Sequence, residues 1–162
     1  MIQLIDICMN NFFSKELIEI DLNVDTSKEV IEKLSKLLYE GGYVKDSFLN
    51  AVIEREKKYA TGIPLDPVGI AIPHTDGIHV KKMAVAVGVL AKPIKFGTMG
   101  GDGKIDVDLV FLMALSDCKS QISLLQRFAE FFQQTDEIEK IKKAGDKDTI
   151  LRILKSEIKN KS

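Results

Sequence analysis

The chain has 162 residues, a length typical of one domain with a single substantial core. Its 23 Lys and Arg residues and 24 Asp and Glu residues leave a net charge of −1. This balance argues against a protein that coats nucleic acid or an anionic membrane, since both functions need a basic excess. No apolar run reaches the roughly 20 residues of a membrane-spanning helix, and the first residues lack a secretory signal pattern, so we expect a cytoplasmic protein. The distant Cys8 and Cys118 have no metal-ligand spacing, and we expect both to be reduced thiols.

The first third of the chain predicts two helices. Residues Thr26–Glu29 form a capping-box pattern, in which a hydroxyl and a Glu side chain satisfy the free amides of a helix start. Apolar residues then recur at helical spacing until Gly41 and Gly42, which end the helix. A second helix is predicted from Asp46 to Tyr59, and its far end is highly charged.

The middle of the chain predicts strands. The apolar run Val68–Ile72 is short and stops at Pro73, and Met83–Leu90 is too short and too rich in Val to favour a helix. A short edge strand is predicted around Ile94–Phe96, followed by a turn rich in Gly. Residues Asp106–Leu115 first alternate and then become continuously apolar, as in a central strand covered on both faces.

The last third returns to helical spacing. Helices are predicted over Gln121–Phe132, over Glu137–Lys143 and from Asp146 onward. No internal repeat, low-complexity tract or linker divides the chain, so we expect one domain over residues 1–162. Helices, then clustered strands, then helices predict an α/β protein with a sheet between two helical layers.

Both histidines of the chain, His74 and His79, lie in one loop. His74 directly follows a buried strand and Pro73, which stiffens the backbone that delivers it. A loop at the end of a core strand combines precise placement with access, and imidazole, with a reference pKa of about 6.5, suits nucleophilic or acid–base chemistry near neutral pH. The local pattern alone leaves open a plain surface histidine in a turn.

Other kinds of site find little support in the sequence. His74 and His79 are five residues apart across a turn, and no cluster of Cys, His and acidic residues completes a metal site. There is no Gly-x-Ser-x-Gly elbow. The glycines of Met99–Gly103 match neither a dinucleotide fingerprint nor a P-loop, and we interpret them as a flexible turn.

Two segments resemble a known family. Ala60–Ile63 followed by Gly69–His74 resembles the active-site stretch of the mannitol/fructose-type enzyme IIA domains of the bacterial sugar phosphotransferase system. The resemblance extends from the helix near Thr26 to the last helix. It implies a single mixed β-sheet flanked by helices on both faces, in one enzyme IIA domain over residues 1–162. Several features look most like galactitol-type members: Ile72-Pro73-His74-Thr75-Asp76, Pro64, Pro67 and Met99-Gly100-Gly101.

The resemblance also implies a chemical role for His74. The phosphocarrier protein HPr would donate a phosphoryl group to Nε2 of His74, which would pass it to a cysteine of enzyme IIB for uptake of galactitol or a related sugar or polyol through enzyme IIC. Arg55 matches the active-site arginine of the family. Gln121 stands where mannitol-type members carry a second histidine, although a slip of the match would point to Ser120 or Ser123 instead.

Chemical reasoning adds further expectations about this site. Arg55, Gln121 and Thr75 would donate to the phosphoryl oxygens, and Asp76 or a backbone carbonyl would hold the second ring nitrogen of His74. No cofactor or metal is needed, because the donor is an activated phosphohistidine. An apolar rim for the partner proteins is expected from the following residues: Ile63, Leu65, Ile78 and Phe96.

Two rival functions remain open from the sequence. One is a regulatory module of the nitrogen type, or a receiver detached from a transcription regulator, in which phosphorylation of His74 changes a binding surface. The other is an inactive scaffold that keeps the fold, against which the intact His74 and Arg55 argue. The transport role requires a cognate enzyme IIB with a reactive cysteine, whereas a regulator requires only a protein that prefers one phosphorylation state.

Overall fold

The computed structural model describes residues 12–116 and 118–159, with the backbone alone for residues 118–121 and 159. Five strands and five α-helices follow one another in the described part of the chain. In chain order they are β1 (Ile18–Leu22), α1 (Ser27–Glu40), α2 (Phe48–Lys58), β2 (Gly62–Ile63), β3 (Ile70–Ala71), β4 (Ala84–Gly97), β5 (Lys104–Ala114), α3 (Cys118–Phe132), α4 (Thr135–Lys143) and α5 (Lys147–Lys159).

The five strands form one mixed sheet in the order β1-β4-β5-β3-β2. The long hairpin β4–β5 is antiparallel and forms its centre, β1 lies parallel to β4, and β3 lies parallel to β5. The short strand β2 closes the other edge, antiparallel to β3. The predicted α/β class with a single mixed sheet is confirmed.

Helices cover both faces of the sheet, because alternate residues of β4 and β5 point to opposite sides. Val87 and Phe111 belong to a core that includes apolar residues of α3, α4 and α5. Ala86 and Leu112, the next residue along each strand, belong to a second core with α1 and α2. This double coverage explains why the two strands have continuously apolar runs.

The predicted start of α1 is also confirmed. Thr26 is the N-cap residue, and its hydroxyl accepts a hydrogen bond from the backbone N–H of Glu29. Gly41 follows the last helical residue, and Gly42 adopts a φ of +80°, a conformation that favours glycine. No helix in the described part of the chain is long and apolar enough to cross a membrane.

Two details of the sheet differ from the prediction. Residues Ile94–Phe96 do not form a separate edge strand, because β4 continues through them and pairs with β5 after an irregularity between Val89 and Ile94. That irregularity accommodates the exposed residues Ala91, Lys92 and Pro93, which resemble a strand end. Strand β1 was not predicted, although its sequence, Ile-Glu-Ile-Asp-Leu, alternates with the period of a strand.

Candidate functional site

The central strand β5 determines where His74 lies. Beyond β3, the chain stays beside β5, where Met113 donates its backbone N–H to the carbonyl of Pro73 at 3.0 Å and His74 forms an isolated bridge with Met113. Gly77, three residues after His74, lies against the segment that follows β5. A β-carbon on Gly77 would lie 2.2 Å from the carbonyl oxygen of Ser116. The loop that carries His74 is therefore packed against the end of a buried strand.

A backbone carbonyl orients the ring of His74. Nδ1 donates a hydrogen bond to the carbonyl oxygen of Ile72 at 2.8 Å, so that Nδ1 carries the proton and Nε2 keeps its lone pair. Among the described residues, Nε2 has no hydrogen-bond partner. This carbonyl is one of the two acceptors expected from the sequence, and Asp76 is exposed instead.

The surroundings lower the pKa of His74 below its ordinary value. Partial burial of the ring is the largest cause, and the positive charge of Arg55 acts in the same direction, whereas the hydrogen bond to Ile72 and the charge of Asp76 oppose them. A lowered pKa keeps the imidazole neutral near pH 7. The neutral ring, with its free Nε2 lone pair, is the nucleophilic form.

His74 lines an open depression of about 640 Å³. One wall is the end of α2 with the turn that follows it, and the opposite wall is the tip of the β4–β5 hairpin, Thr98–Asp102. The lining carries three cationic side chains, those of Arg55, Lys57 and Lys58, against the single acid Asp102. This excess of positive charge suits an anionic group bound beside the imidazole.

The structure brings Arg55 and His74 together, although they are far apart in sequence. Arg55 is half-buried on α2, and its guanidinium carbon lies 5.5 Å from the centre of the Tyr59 ring. Its Nε is buried and has no hydrogen-bond partner among the described residues. An arginine beside an imidazole that lines the same depression is suited to holding the oxygens of a phosphoryl group.

A hydrogen-bonded pair near Arg55, formed by Glu56 and Thr61, was not predicted from the sequence. Glu56, next to Arg55 on α2, accepts hydrogen bonds from the backbone N–H and the hydroxyl of Thr61, both at 2.9 Å. Burial raises the pKa of Glu56, and the bonds from Thr61 partly offset that effect. A side chain that reaches five residues along the chain to hold the wall of the depression leaves no periodic signal in the sequence.

The other predicted residues have different positions. Thr75 is buried, with 7% of its surface exposed, and is not among the residues that line the depression. His79 lies near the start of α2, where its Nδ1 is 2.7 Å from the hydroxyl oxygen of Ser47. Gln121 falls in α3, and its side chain, like that of Ser120, lies outside what the structure describes.

The predicted apolar rim needs one correction. Ile78 is 71% exposed, and Ile63 and Leu65 are half-buried, but Phe96 is only 1% exposed and belongs to the core. Phe96 is buried because β4 continues through it and it pairs with Ile105 of β5. Two exposed apolar side chains of the depression were not predicted as rim: Tyr59 (65%) and Met99 (45%).

Within the described residues, no group of three or more His, Cys, Asp or Glu side chains is arranged to hold a metal ion.

The family model of the phosphoenolpyruvate-dependent sugar phosphotransferase system, EIIA 2, matches residues 11–157. The chain belongs to this family. As an EIIA protein it is a phosphotransferase component, a phosphohistidine carrier, and the matched residues include His74.

Two curated relatives support this assignment. The chain is 31% identical to the galactitol-specific EIIA component of Escherichia coli strain K12 over 131 residues, which cover 81% of this chain and 85% of that protein. It is 30% identical to the mannitol-specific enzyme IIA component of Staphylococcus aureus strain N315 over 146 residues, which cover 90% and 96% of the two chains.

Solved structures show the same fold. The complex of enzyme IIAMTL with phosphorylated enzyme IIBMTL from Escherichia coli matches with a TM-score of 0.76 at 22% identity, over 89% of this EIIA chain and 97% of that chain. The nitrogen regulatory protein IIA-Ntr of Neisseria meningitidis matches with a TM-score of 0.72 at 22% identity, over 90% and 97% of the chains.

Proposed function

We propose that this EIIA protein accepts a phosphoryl group from phosphorylated HPr on Nε2 of His74 and transfers it to a cysteine of a cognate enzyme IIB. The transfer takes place in the cytoplasm and serves the uptake of galactitol or a related sugar or polyol through enzyme IIC. Residues 1–162 act as one EIIA domain in this proposal.

The observation that carries the proposal is the held ring of His74. Its Nδ1 is occupied by the Ile72 carbonyl at 2.8 Å, while Nε2 has no partner among the described residues, in a depression that Arg55 also lines. Phosphoryl transfer needs positioning and charge stabilisation more than covalent help from other side chains. The depression offers both, since the ring is held in place and three cationic side chains line the same depression.

The proposed reaction has two displacement steps. The Nε2 lone pair of His74 attacks the phosphorus of the donor phosphohistidine, the donor's N–P bond breaks, and its electron pair stays with the donor imidazole. Because Nδ1 of His74 keeps its proton, the product is a phosphorylated imidazolium, which the Ile72 carbonyl stabilises. The thiolate of enzyme IIB then attacks the phosphorus, and the electron pair of the second N–P bond returns to Nε2.

Arg55 stabilises both displacements in this scheme. Its guanidinium donors bind the equatorial oxygens of the phosphoryl group, where negative charge is spread during transfer. Gln121 and Thr75 remain proposed auxiliary donors. The buried position of Thr75 favours its backbone or hydroxyl as a support of the loop over direct contact with the phosphoryl group.

The substrate class rests on the relatives. The galactitol-specific component is 31% identical to this chain, and the mannitol-specific component is 30% identical, so a polyol system is the best supported choice. The proposal of enzyme IIB as partner is supported by the complex of enzyme IIAMTL with phosphorylated enzyme IIBMTL, whose IIA chain shares the fold. In this chain the depression around His74 supplies the surface for both partners in turn.

The test is phosphoryl transfer from phosphoenolpyruvate through purified enzyme I and HPr, with the mass of this chain as the readout. We expect the wild type to gain one acid-labile, base-stable phosphoryl group and His74→Ala to gain none. His79→Ala is the matched control, since His79 lies in the same loop and contacts Ser47 instead of the depression, and it should accept at close to the wild-type rate.

Three results would contradict the proposal. Phosphorylation of His74→Ala at the normal rate would remove His74 from the role, and a folded wild type that gains nothing beside a working control acceptor would favour an inactive scaffold. A phosphorylated wild type from which neither a galactitol-type nor a mannitol-type enzyme IIB takes the group would count against polyol transport and favour the regulatory role.

A further inference from the structure

Hydrogen bonds connect Glu56 to His74 through the backbone. The carboxylate of Glu56 accepts from both the N–H and the hydroxyl of Thr61. The carbonyl of Thr61 accepts from the N–H of Ile72 at 3.4 Å, and the carbonyl of Ile72 accepts from Nδ1 of His74 at 2.8 Å. The two ends of this chain of bonds lie on different elements, α2 and the loop after β3.

The middle bond of this series, between Thr61 and Ile72, continues the pairing of β2 with β3. Strands β2 and β3 pair over only two residues each, Gly62 with Ala71 and Ile63 with Ile70. The bond between Thr61 and Ile72 is the next link of that ladder, on the side toward His74. Strand β3 is held on its other side by β5, whereas β2 is a two-residue strand at the edge of the sheet. By anchoring Thr61 beside β2, Glu56 gives the Ile72 peptide a second support in addition to β5.

We propose that Glu56 is a positioning residue, which acts through Thr61 and the Ile72 peptide to keep His74 in the tautomer and orientation that present Nε2 for phosphoryl transfer. The inference rests on the proposed function, because it assigns a purpose to the orientation of the ring. Glu56 itself touches neither the imidazole nor the phosphoryl group in this scheme. Its effect comes from the geometry of its acceptor oxygens.

The alternative is an effect of the charge of Glu56 on its neighbour Arg55, and two substitutions separate the alternatives. Glu56→Gln removes the charge but keeps an acceptor oxygen, and one oxygen suffices, since Oε1 accepts from both the N–H and the hydroxyl of Thr61, at 2.9 and 3.1 Å. Glu56→Asp keeps the charge but shortens the side chain, so that the carboxylate no longer reaches Thr61 in the same geometry.

Two readouts are measured on the full chain. The first is nitrogen NMR of the His74 ring, which reports the tautomer directly and is simple to assign because the protein has two histidines. The second is the kinetics of phosphoryl acceptance from phosphorylated HPr, resolved into kcat and KM. Glu54→Gln is the matched control, because Glu54 lies on the exposed side of α2 and pairs with Lys57.

We expect Glu56→Gln and Glu54→Gln to keep the Nδ1–H tautomer and a kcat close to that of the wild type. Glu56→Asp should mix the two tautomers of His74 and lower kcat by about tenfold with KM for HPr unchanged, because small misplacements of a reacting group have large effects on rate. If Glu56→Asp does not fold, Thr61→Ala replaces it, with the same direction of change.

The proposal is overturned if folded Glu56→Asp keeps the wild-type tautomer and kcat, or if Glu56→Gln loses them, which would assign the effect to charge. The tautomer measurement does not depend on a phosphoryl donor. A wild type that accepts no phosphoryl group would therefore refute the proposed function and still leave the NMR comparison to decide whether Glu56 positions the ring.

Discussion

At the scale of single residues, the reactivity of His74 comes from what surrounds its imidazole. The Ile72 carbonyl holds Nδ1, so the lone pair is on Nε2, and burial with the nearby Arg55 lowers the pKa of the ring. Burial and Arg55 favour the neutral ring, whereas the hydrogen bond to Ile72 opposes them but selects the tautomer with the lone pair on Nε2. In the proposed transfer the hydrogen bond then favours the charged product, because the Nδ1 proton still donates to the Ile72 carbonyl oxygen.

The influence of Arg55 on His74 is testable by titration. Arg55→Gln should raise the pKa of His74, since it removes a positive charge that disfavours the imidazolium, while burial of the ring stays the same. The same substitution should slow phosphoryl acceptance strongly, because it removes the donors that we propose for the phosphoryl oxygens. NMR of the imidazole protons against pH measures the first effect, and the phosphoryl transfer assay measures the second.

Lys58→Gln is the control for the titration, and it should leave the pKa of His74 unchanged. Lys58 is an exposed cation of the same depression, and its charge is not among the causes of the lowered pKa of His74. A pKa that falls or stays constant in Arg55→Gln, with the protein folded, would show that Arg55 and His74 do not interact.

At the scale of elements, the site depends on close approaches between short segments. Strand β3 has two residues, and the loop that follows is held against the end of β5 where Gly77 passes the backbone of Ser116. No side chain fits between the two backbones at that position. The glycine therefore allows the loop after His74 to dock on the sheet.

Gly77→Ala should destabilise the protein by about 1–3 kcal/mol, because its β-carbon would lie 2.2 Å from the Ser116 carbonyl oxygen and the backbones must move apart. The loop would shift with them, so phosphoryl acceptance should fall in the fraction that remains folded. Urea unfolding measures the free energy, and the transfer assay measures the activity.

Gly101→Ala is the matched control for Gly77→Ala. Gly101 lies in the hairpin wall of the depression, and the nearest atom to its β-carbon would be 3.7 Å away, an ordinary contact. We expect its free energy of unfolding to stay within about 0.5 kcal/mol of the wild type. Equal stability of the two variants would mean that the loop is not docked as described.

At the scale of the whole molecule, the sheet separates two cores. The core on the side of α3, α4 and α5 contains a cluster of phenylalanine rings: Phe13, Phe111, Phe128, Phe131 and Phe132, with neighbouring ring centres between 5.5 and 6.2 Å apart. The cluster joins the central strand β5 to α3. None of these rings lines the depression, so the cluster stabilises the fold without taking part in the site.

Phe128→Ala should lower the free energy of unfolding by about 3–5 kcal/mol, because the ring is fully buried at the centre of this cluster. The control is Ile122→Ala in the same helix, where the side chain is 59% exposed, and its effect should stay within about 0.5 kcal/mol. Chemical denaturation measures both. A small effect of Phe128→Ala would contradict the packing of α3 on the sheet.

Much of the architecture was determined by the sequence alone, because its signals are local. The helix start at Thr26, the apolar runs of β4 and β5 and the helical spacing of α3–α5 are repeated patterns that depend only on near neighbours. The segment around His74 was identified by its resemblance to a family, which a match of residues 11–157 to the family model confirmed.

Only the tertiary structure decided the rest, because it depends on contacts between distant residues. The irregularity that carries β4 through Phe96 exists because β5 is beside it to pair with, and Phe96 is therefore core and not rim. Likewise, the hydrogen bond that Thr61 donates to Glu56 and the one that His74 donates to Ile72 are linked only because β2 and β3 pair. No spacing along the chain encodes that pairing.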